Sequence, residues 1–239
     1  MAAGRCGTDF KRWEKAPGNP VCEIDLEVDA FLRERLTVLD PEAGWLSEET
    51  LDASDRMERK RLWVVDPIDG TRDYLGGRPG WCVSVALVEE RTPLLGVLDA
   101  PARGEHWTAG KGGGAWRNGE RLRVSGRRQL AGARVPADQL SEPDLDLVAV
   151  AKPNSIALRI ALVAAGEADL VATLRWGFEW DIAAAALIAS EAGATVSGAL
   201  GQPLAFNSAS GEAFGVLVAT PAIHSDAVER LRERAMDLV

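Results

Sequence analysis

The chain of 239 residues carries 36 acidic against 27 basic side chains, a formal net charge of −9, with 46% hydrophobic and 26% charged residues. That length suits one large domain or two compact halves sharing a core, and the acidic balance argues against a nucleic-acid binder that works through general basic surface. No apolar run reaches the roughly 18 residues of a membrane span, Met1–Phe10 lacks the apolar stretch of a secretory signal, and Cys6, Cys22 and Cys82 follow no metal-ligand spacing, which points to reduced thiols and a cytoplasmic protein.

In chain order, Ile24, Val28, Phe31, Leu32, Leu36 and Leu39 recur at three- and four-residue steps, which predicts an amphipathic helix over 23–39. Asp40-Pro41 ends it, and a short strand follows at 44–47. The polar stretch 51–60 reads as a mobile loop. The apolar run Leu62–Val65 predicts a buried strand over 61–66, broken by Pro67 and Gly70. Residues 81–88 and 94–98 read as antiparallel neighbours joined by a polar turn. Weaker strands are expected at 105–109 and 121–125, with the glycines of 110–114 forming a hairpin turn between them. Residues 126–145 are irregular and polar, and the boundary falls there between an α+β half, 1–130, and an α/β half, 131–239. Beyond it a helix at 156–165, strand at 169–173, helix at 182–192, strands at 194–197 and 215–219 and a terminal helix at 222–238 alternate as in a layered α/β structure.

The chemistry concentrates in Trp63-Val64-Val65-Asp66-Pro67-Ile68-Asp69-Gly70-Thr71. A buried strand delivers Asp66 at its C-terminal end, where ligand sites in α/β folds gather. The turn brings Asp69 back beside it, and two neighbouring carboxylates repel unless a cation lies between them. Hard oxygen donors of this kind suit Mg²⁺, which keeps several waters and adds substrate phosphate. The N–H groups of Gly70 and Thr71 are placed to face a phosphate. The spacing does not fit a calcium loop. No phosphate-binding Gly-x-x-x-x-Gly-Lys-Ser/Thr or Gly-x-Gly-x-x-Gly run is present. His106 and His224 have no partner pattern and read as structural, as does Cys82 in its apolar strand.

Asp66-Pro67-Ile68-Asp69-Gly70-Thr71 resembles the first hallmark of the inositol-monophosphatase-like superfamily, and Trp180-Asp181-Ile182-Ala183-Ala184 is similar to its second. Ser47-Glu48-Glu49-Thr50 resembles the upstream acidic ligand segment. Pro20-Val21-Cys22-Glu23-Ile24-Asp25 resembles the segment carrying the acidic partner of the nucleophilic water, and residues 155–169 look like the helix and turn that precede the second hallmark. The resemblance runs in order from about Lys15 onward. It implies a layered α-β-α-β-α sandwich of the inositol monophosphatase and sugar phosphatase type. It also implies a homodimer, inhibition by Li⁺, and hydrolysis by water activated on two Mg²⁺ ions, with a third, looser ion near Glu48. Carried over residue by residue, the metal ligands are Glu48, Asp66, the Ile68 carbonyl, Asp69 and Asp181. Asp25 and Thr71 form the dyad that orients and deprotonates the water, with Glu48 catalytic on the same ion. Asp69, Gly70, Thr71, Asp181, Lys152 and Arg175 contact the phosphate or substrate, with Arg159 a further candidate. Asp181 also reads as the cap of its helix.

Trp45 to Thr50, Arg72-Asp73-Tyr74, Ala100 to Glu105 and Glu179-Trp180-Asp181 look more like the 3′(2′),5′-bisphosphate nucleotidase branch, whose substrate is 3′-phosphoadenosine 5′-phosphate. Inositol monophosphatase is the alternative, with fructose 1,6-bisphosphatase behind it. A different class, a non-catalytic metal- or phosphate-binding protein on the same scaffold, also fits, since a fold does not fix a function. Three departures stand out: only Met1–Glu14 precede Lys15 where the family has a longer helix, Cys22 stands where it usually has Thr, and residues 126–154 are short.

Overall fold

The computed structural model describes residues 2–6, 10–16, 19–52 and 54–238. The N-terminal segment holds a one-turn helix α1 (Ala2–Arg5) and the hairpin β1 (Arg12–Ala16) and β2 (Asn19–Cys22), followed by helix α2 (Glu23–Leu39). A seven-stranded sheet comes next: β3 (Gly44–Ser47), β4 (Arg61–Asp69), β5 (Cys82–Glu89), β6 (Thr92–Ala100), β7 (Glu105–Gly110), β8 (Gly114–Arg117) and β9 (Glu120–Arg121), hydrogen-bonded in that spatial order. Short helix α3 (Thr71–Leu75) interrupts it. Only the β3–β4 pair is parallel; the remaining neighbours are antiparallel.

The rest comprises the small parallel pair β10 (Arg134–Pro136) and β11 (Val148–Val150), helix α4 (Ile156–Ala164), strand β12 (Leu170–Phe178), helix α5 (Glu179–Glu191), strands β13 (Thr195–Ser197) and β14 (Glu212–Ala219), and helix α6 (Pro221–Met236). Strands β12, β14 and β13 form an antiparallel sheet in that order.

β4 shows how the sequence sets the layers. Its residues alternate between faces: Trp63 and Val65 pack with Leu32 and Leu36 of α2, while Leu62 and Val64 join the core formed with α4 and α5. Helix α5 is apolar from Ile182 through Ala189, all buried, as a helix covered on every side must be. On its far side lies the three-stranded sheet, and α6 covers that sheet through Ile223, Ala227 and Leu231. The order α2, large sheet, α4–α5, small sheet, α6 is the expected α-β-α-β-α sandwich. Burying each Leu, Val or Ile of these interfaces contributes roughly 1.5–3 kcal/mol.

Several expectations need correction. Pro67 does not end β4; the strand continues to Asp69 through a register shift between Asp66 and Asp69, as a bulge permits at a proline. The strand expected at 121–125 lies earlier, at Gly114–Arg117 and Glu120–Arg121, because the glycine cluster turns the chain tightly enough for β7 and β8 to pair directly. The irregular stretch 126–145 contains β10. The stretch 51–60 is not a free loop: residues Ser54–Glu58 form a 3-10 turn, and Arg56 is 1% exposed.

Candidate active site

A cavity of about 600 Å³ gathers residues from five parts of the chain. Its lining includes Glu48, Asp66, Ile68, Asp69, Gly70, Thr71, Arg72, Lys152, Arg159, Arg175, Trp176, Phe178, Trp180 and Asp181. Every expected metal-site and substrate residue is therefore on one lining except Asp25, which is not among them.

The acids arrive by separate routes. Glu48 follows β3, and its N–H donates to Val65 O of β4 at 3.3 Å. Asp66 and Asp69 flank the β4 bulge, with Asp66 Oδ1 accepting from Ile68 N at 2.9 Å. Asp69 is gripped across the fold. Ser155 Oγ donates to its Oδ2 at 2.5 Å, Ala157 N to the same oxygen at 2.7 Å, and Ile156 N to Oδ1 at 3.3 Å. Ser155 also caps α4, accepting from Leu158 N at 2.9 Å. Asp181 stands in the first turn of α5, whose capping position belongs to Phe178; Asp181 is not the cap. An acid in a first helical turn faces unpaired N–H groups and the positive end of the dipole.

These carboxylates perturb one another. Burial, then the charges of Glu48, Asp69 and Asp181, push Asp66 well above the usual carboxylate range. Burial, then Asp69 and Glu48, do the same to Asp181, and burial raises Glu48 against the pull of Lys15. Like charges crowded out of water favour protonation unless a cation joins them.

Asp25 lies at the third position of α2 and is 1% exposed. Its Oδ2 accepts from Cys22 N at 2.8 Å and from Cys22 Sγ at 3.0 Å, while its Oδ1 is buried without a partner. Cys22 thus serves in place of the usual hydroxyl, and burial followed by the Asp25 contact pushes its thiol up to about 12, keeping it a donor. Burial raises Asp25 to about 6 against these donors. The expected Thr71–Asp25 dyad is not closed: Thr71 Oγ1 donates to Ile68 O at 3.0 Å, the nearest carbonyl one turn back.

Two residues had no local sequence signal. Lys15 is carried to the site by the β1–β2 hairpin, where its Nζ lies 3.5 Å from Glu48 Oε1 and donates to Glu49 Oε1 at 2.5 Å and Glu48 O at 3.2 Å. Glu49, paired with Lys15, has a side chain only 2% exposed. The grip of Ser155 on Asp69 had a partial signal, a serine immediately before an apolar helical period. Among the cationic lining residues, Arg159 donates to Pro153 O and Asn154 O at 2.8 and 2.6 Å, and Lys152 pairs with Asp138.

The donor set fits a divalent hard cation. It is all oxygen, its members raise one another's pKa, and the buried Asp25 Oδ1 lacks a donor. Among the described residues no three His, Cys, Asp or Glu side chains stand together as a metal-holding group. Oxygen donors of the kind lining this cavity are those that Mg²⁺ takes, with water and substrate phosphate completing its shell.

Comparison with known proteins identifies the family. The model of the inositol monophosphatase family matches residues 1–235. The chain is 35% identical over 203 residues to an inositol-1-monophosphatase of Mesorhizobium japonicum, covering 77% of this chain and 73% of that one. It is 32% identical over 213 residues to the 3′(2′),5′-bisphosphate nucleotidase CysQ of Aggregatibacter actinomycetemcomitans, covering 81% and 77%. The solved structure of the Thermotoga maritima IMPase superposes with a TM-score of 0.84 at 29% identity over 99% of this chain and 92% of that one. With the sandwich, the ordered acids and a family match spanning nearly its whole length, the chain belongs to the inositol monophosphatase family and is a phosphatase.

Proposed function

We propose that the chain is a Mg²⁺-dependent phosphomonoester hydrolase whose substrate is a 3′(2′),5′-bisphosphate nucleotide such as 3′-phosphoadenosine 5′-phosphate. The observation that carries this reading is the cavity itself: Glu48, Asp66, Asp69 and Asp181 share its lining with Lys152, Arg159 and Arg175, and with the exposed rings of Trp176 and Phe178. A second phosphate needs cations beyond the catalytic centre, and a base needs an aromatic face; an inositol ring needs neither.

Glu48, Asp66 and the Ile68 carbonyl would hold one Mg²⁺ and Asp66, Asp69 and Asp181 a second, with a looser third ion beside Glu48, the bound ions supplying a lowered water pKa and charge neutralisation at the phosphoryl oxygens. Ser155 and the N–H groups of Ile156 and Ala157 fix the orientation of Asp69. Asp25, with Oδ1 unpaired, accepts the proton at the end of a relay that runs from the water through Thr71, once that hydroxyl turns from Ile68 O. Gly70 and Thr71 N–H groups donate to the phosphoryl oxygens as charge grows there. Residues 1–130 supply Glu48, Asp66 and Asp69, and residues 131–239 supply Asp181 and the substrate cations. We further infer a cytoplasmic homodimer. Three free cysteines support the compartment, and among the described residues no helix is long and apolar enough to cross a membrane.

The test is phosphate release with Mg²⁺ from 3′-phosphoadenosine 5′-phosphate, inositol 1-phosphate and fructose 1,6-bisphosphate, each with and without Li⁺. Li⁺-sensitive preference for the adenosine bisphosphate is expected. Preference for inositol 1-phosphate would move the chain to the second reading, which the 35% identity to an inositol-1-monophosphatase supports as well. No release by a folded, Mg²⁺-binding protein would leave the non-catalytic binding protein.

A further inference from the structure

Two buried charges lie outside the cavity and take no part in the chemistry above. Arg56 is 1% exposed and Glu179 is 0% exposed. No hydrogen bond or ion pair joins them directly; both hold the loop 207–209, each by a different set of its atoms. Glu179, the first residue of α5, accepts from Asn207 N at 2.5 Å and Ser208 N at 2.8 Å. Arg56 donates through Nη1 to Asn207 Oδ1, and through Nη2 to Ser208 O at 2.9 Å and Ala209 O at 3.2 Å. Its Nε and Nη2 also grip Asp52 at 2.6 and 2.8 Å. The loop therefore presents N–H groups to the carboxylate and oxygens to the guanidinium.

Gly211, whose N–H donates to Ser208 O of this loop at 3.1 Å, adjoins both elements that deliver acids to the site. Glu179 N donates to Gly211 O at 2.9 Å. A Cβ at Gly211 would stand 3.4 Å from Leu46 Cδ1 of β3 and 3.8 Å from Trp180 of α5. Glu48 follows Leu46 closely in sequence, and Asp181 follows Trp180 directly. Moving the loop would strip partners from one buried charge or the other, and a buried charge without partners is strongly disfavoured. An apolar contact would tolerate slippage; this one does not.

We propose that Arg56 and Glu179 are positioning residues whose shared grip on residues 207–209 sets the separation of Glu48 and Asp181, and so the affinity of the site for its cation. The proposal rests on the reading of Glu48 and Asp181 as metal ligands. The experiment measures Mg²⁺ binding to metal-free protein by calorimetry, alongside circular dichroism and thermal unfolding without Mg²⁺, for wild type, Glu179→Gln, Arg56→Lys, the double variant and Asn207→Gly. Asn207 lies at φ +60°, which glycine adopts freely, so Asn207→Gly removes the acceptor for Arg56 and keeps the backbone.

Expected is a weakening of Mg²⁺ binding by about tenfold or more, as for groups that orient metal ligands, in folded variants, with kcat returning toward wild type at saturating Mg²⁺. The double variant should be no worse than the weaker single, since both act through one loop. Variants that lose thermal stability but bind Mg²⁺ as wild type does would reduce the grip to a structural contact and overturn the proposal. If the charged-residue variants do not fold, Asn207→Gly decides by the same criterion. Failure of wild type to bind Mg²⁺ would sink the metal-site reading and the proposal with it, and only the wild-type arm reports that.

Discussion

Replacing Gly70 by alanine tests the turn on which the site is built. Gly70 has φ +94°, a region where a Cβ costs about 1–2 kcal/mol. The added Cβ would lie 2.7 Å from Gly80 O and 2.8 Å from Ser155 N. Those two atoms are hydrogen-bonded to each other at 2.8 Å, so the methyl would enter between donor and acceptor, both backbone. Overpacking of that kind adds roughly 1–3 kcal/mol, and the expected total for Gly70→Ala is about 2–5 kcal/mol. Because Ser155 holds Asp69 at 2.5 Å, displacement of Ser155 should also reduce phosphate release. The control is Gly77→Ala, at φ +64° with nothing within 4 Å of the added Cβ; it should show the backbone cost alone and keep full activity. Urea unfolding of both metal-free variants gives the energies. A Gly70→Ala protein as stable as Gly77→Ala, or as active as wild type, would refute the reasoning.

Burial raises Asp25 to about 6, above its unfolded value near 3.9. Its stabilising contribution is therefore fully present below about pH 4 and lost as pH rises through about 6; unfolding midpoints of metal-free protein across that window should fall, and less steeply in Asp25→Asn. The rate should move the other way, rising through about pH 6 as Asp25 ionises. Asp181→Asn should abolish Mg²⁺-dependent phosphate release, yet raise the unfolding temperature of the metal-free protein by relieving repulsion from Asp69 and Glu48; wild-type activity at saturating Mg²⁺ would count against the metal assignment. Arg175→Ala should raise KM for the adenosine bisphosphate roughly 10- to 100-fold, the range of a hydrogen bond to a charged group, with a smaller effect on a monophosphate. Equal effects on both would remove Arg175 from the second-phosphate role.

Much of the scaffold was legible in the chain itself. Helix α2 falls where its periodicity and the Asp40-Pro41 breaker put it, strand β3 lies at the expected 44–47, and the apolar run of β4 reads as a buried strand. The aspartates around Pro67 and the Asp181 segment could be picked out as the proposed metal ligands because their types and order are local properties. What the sequence could not determine is which partner each polar group chooses. Arg56 looked like one more solvated charge in a polar loop, and it is buried because Asn207, Ser208 and Ala209 return to it from far along the chain. Lys15 reaches Glu48 and Glu49 only because β1 folds back on β2. Thr71 bonds the Ile68 carbonyl rather than Asp25 because helix α3 begins at that residue, one turn beyond the bulge. Apolar periodicity is set by neighbours in sequence and survives reading in one dimension. The partner of a buried charge is set by neighbours in space, because desolvation must be met by whatever the fold brings near, and only the tertiary structure decides that.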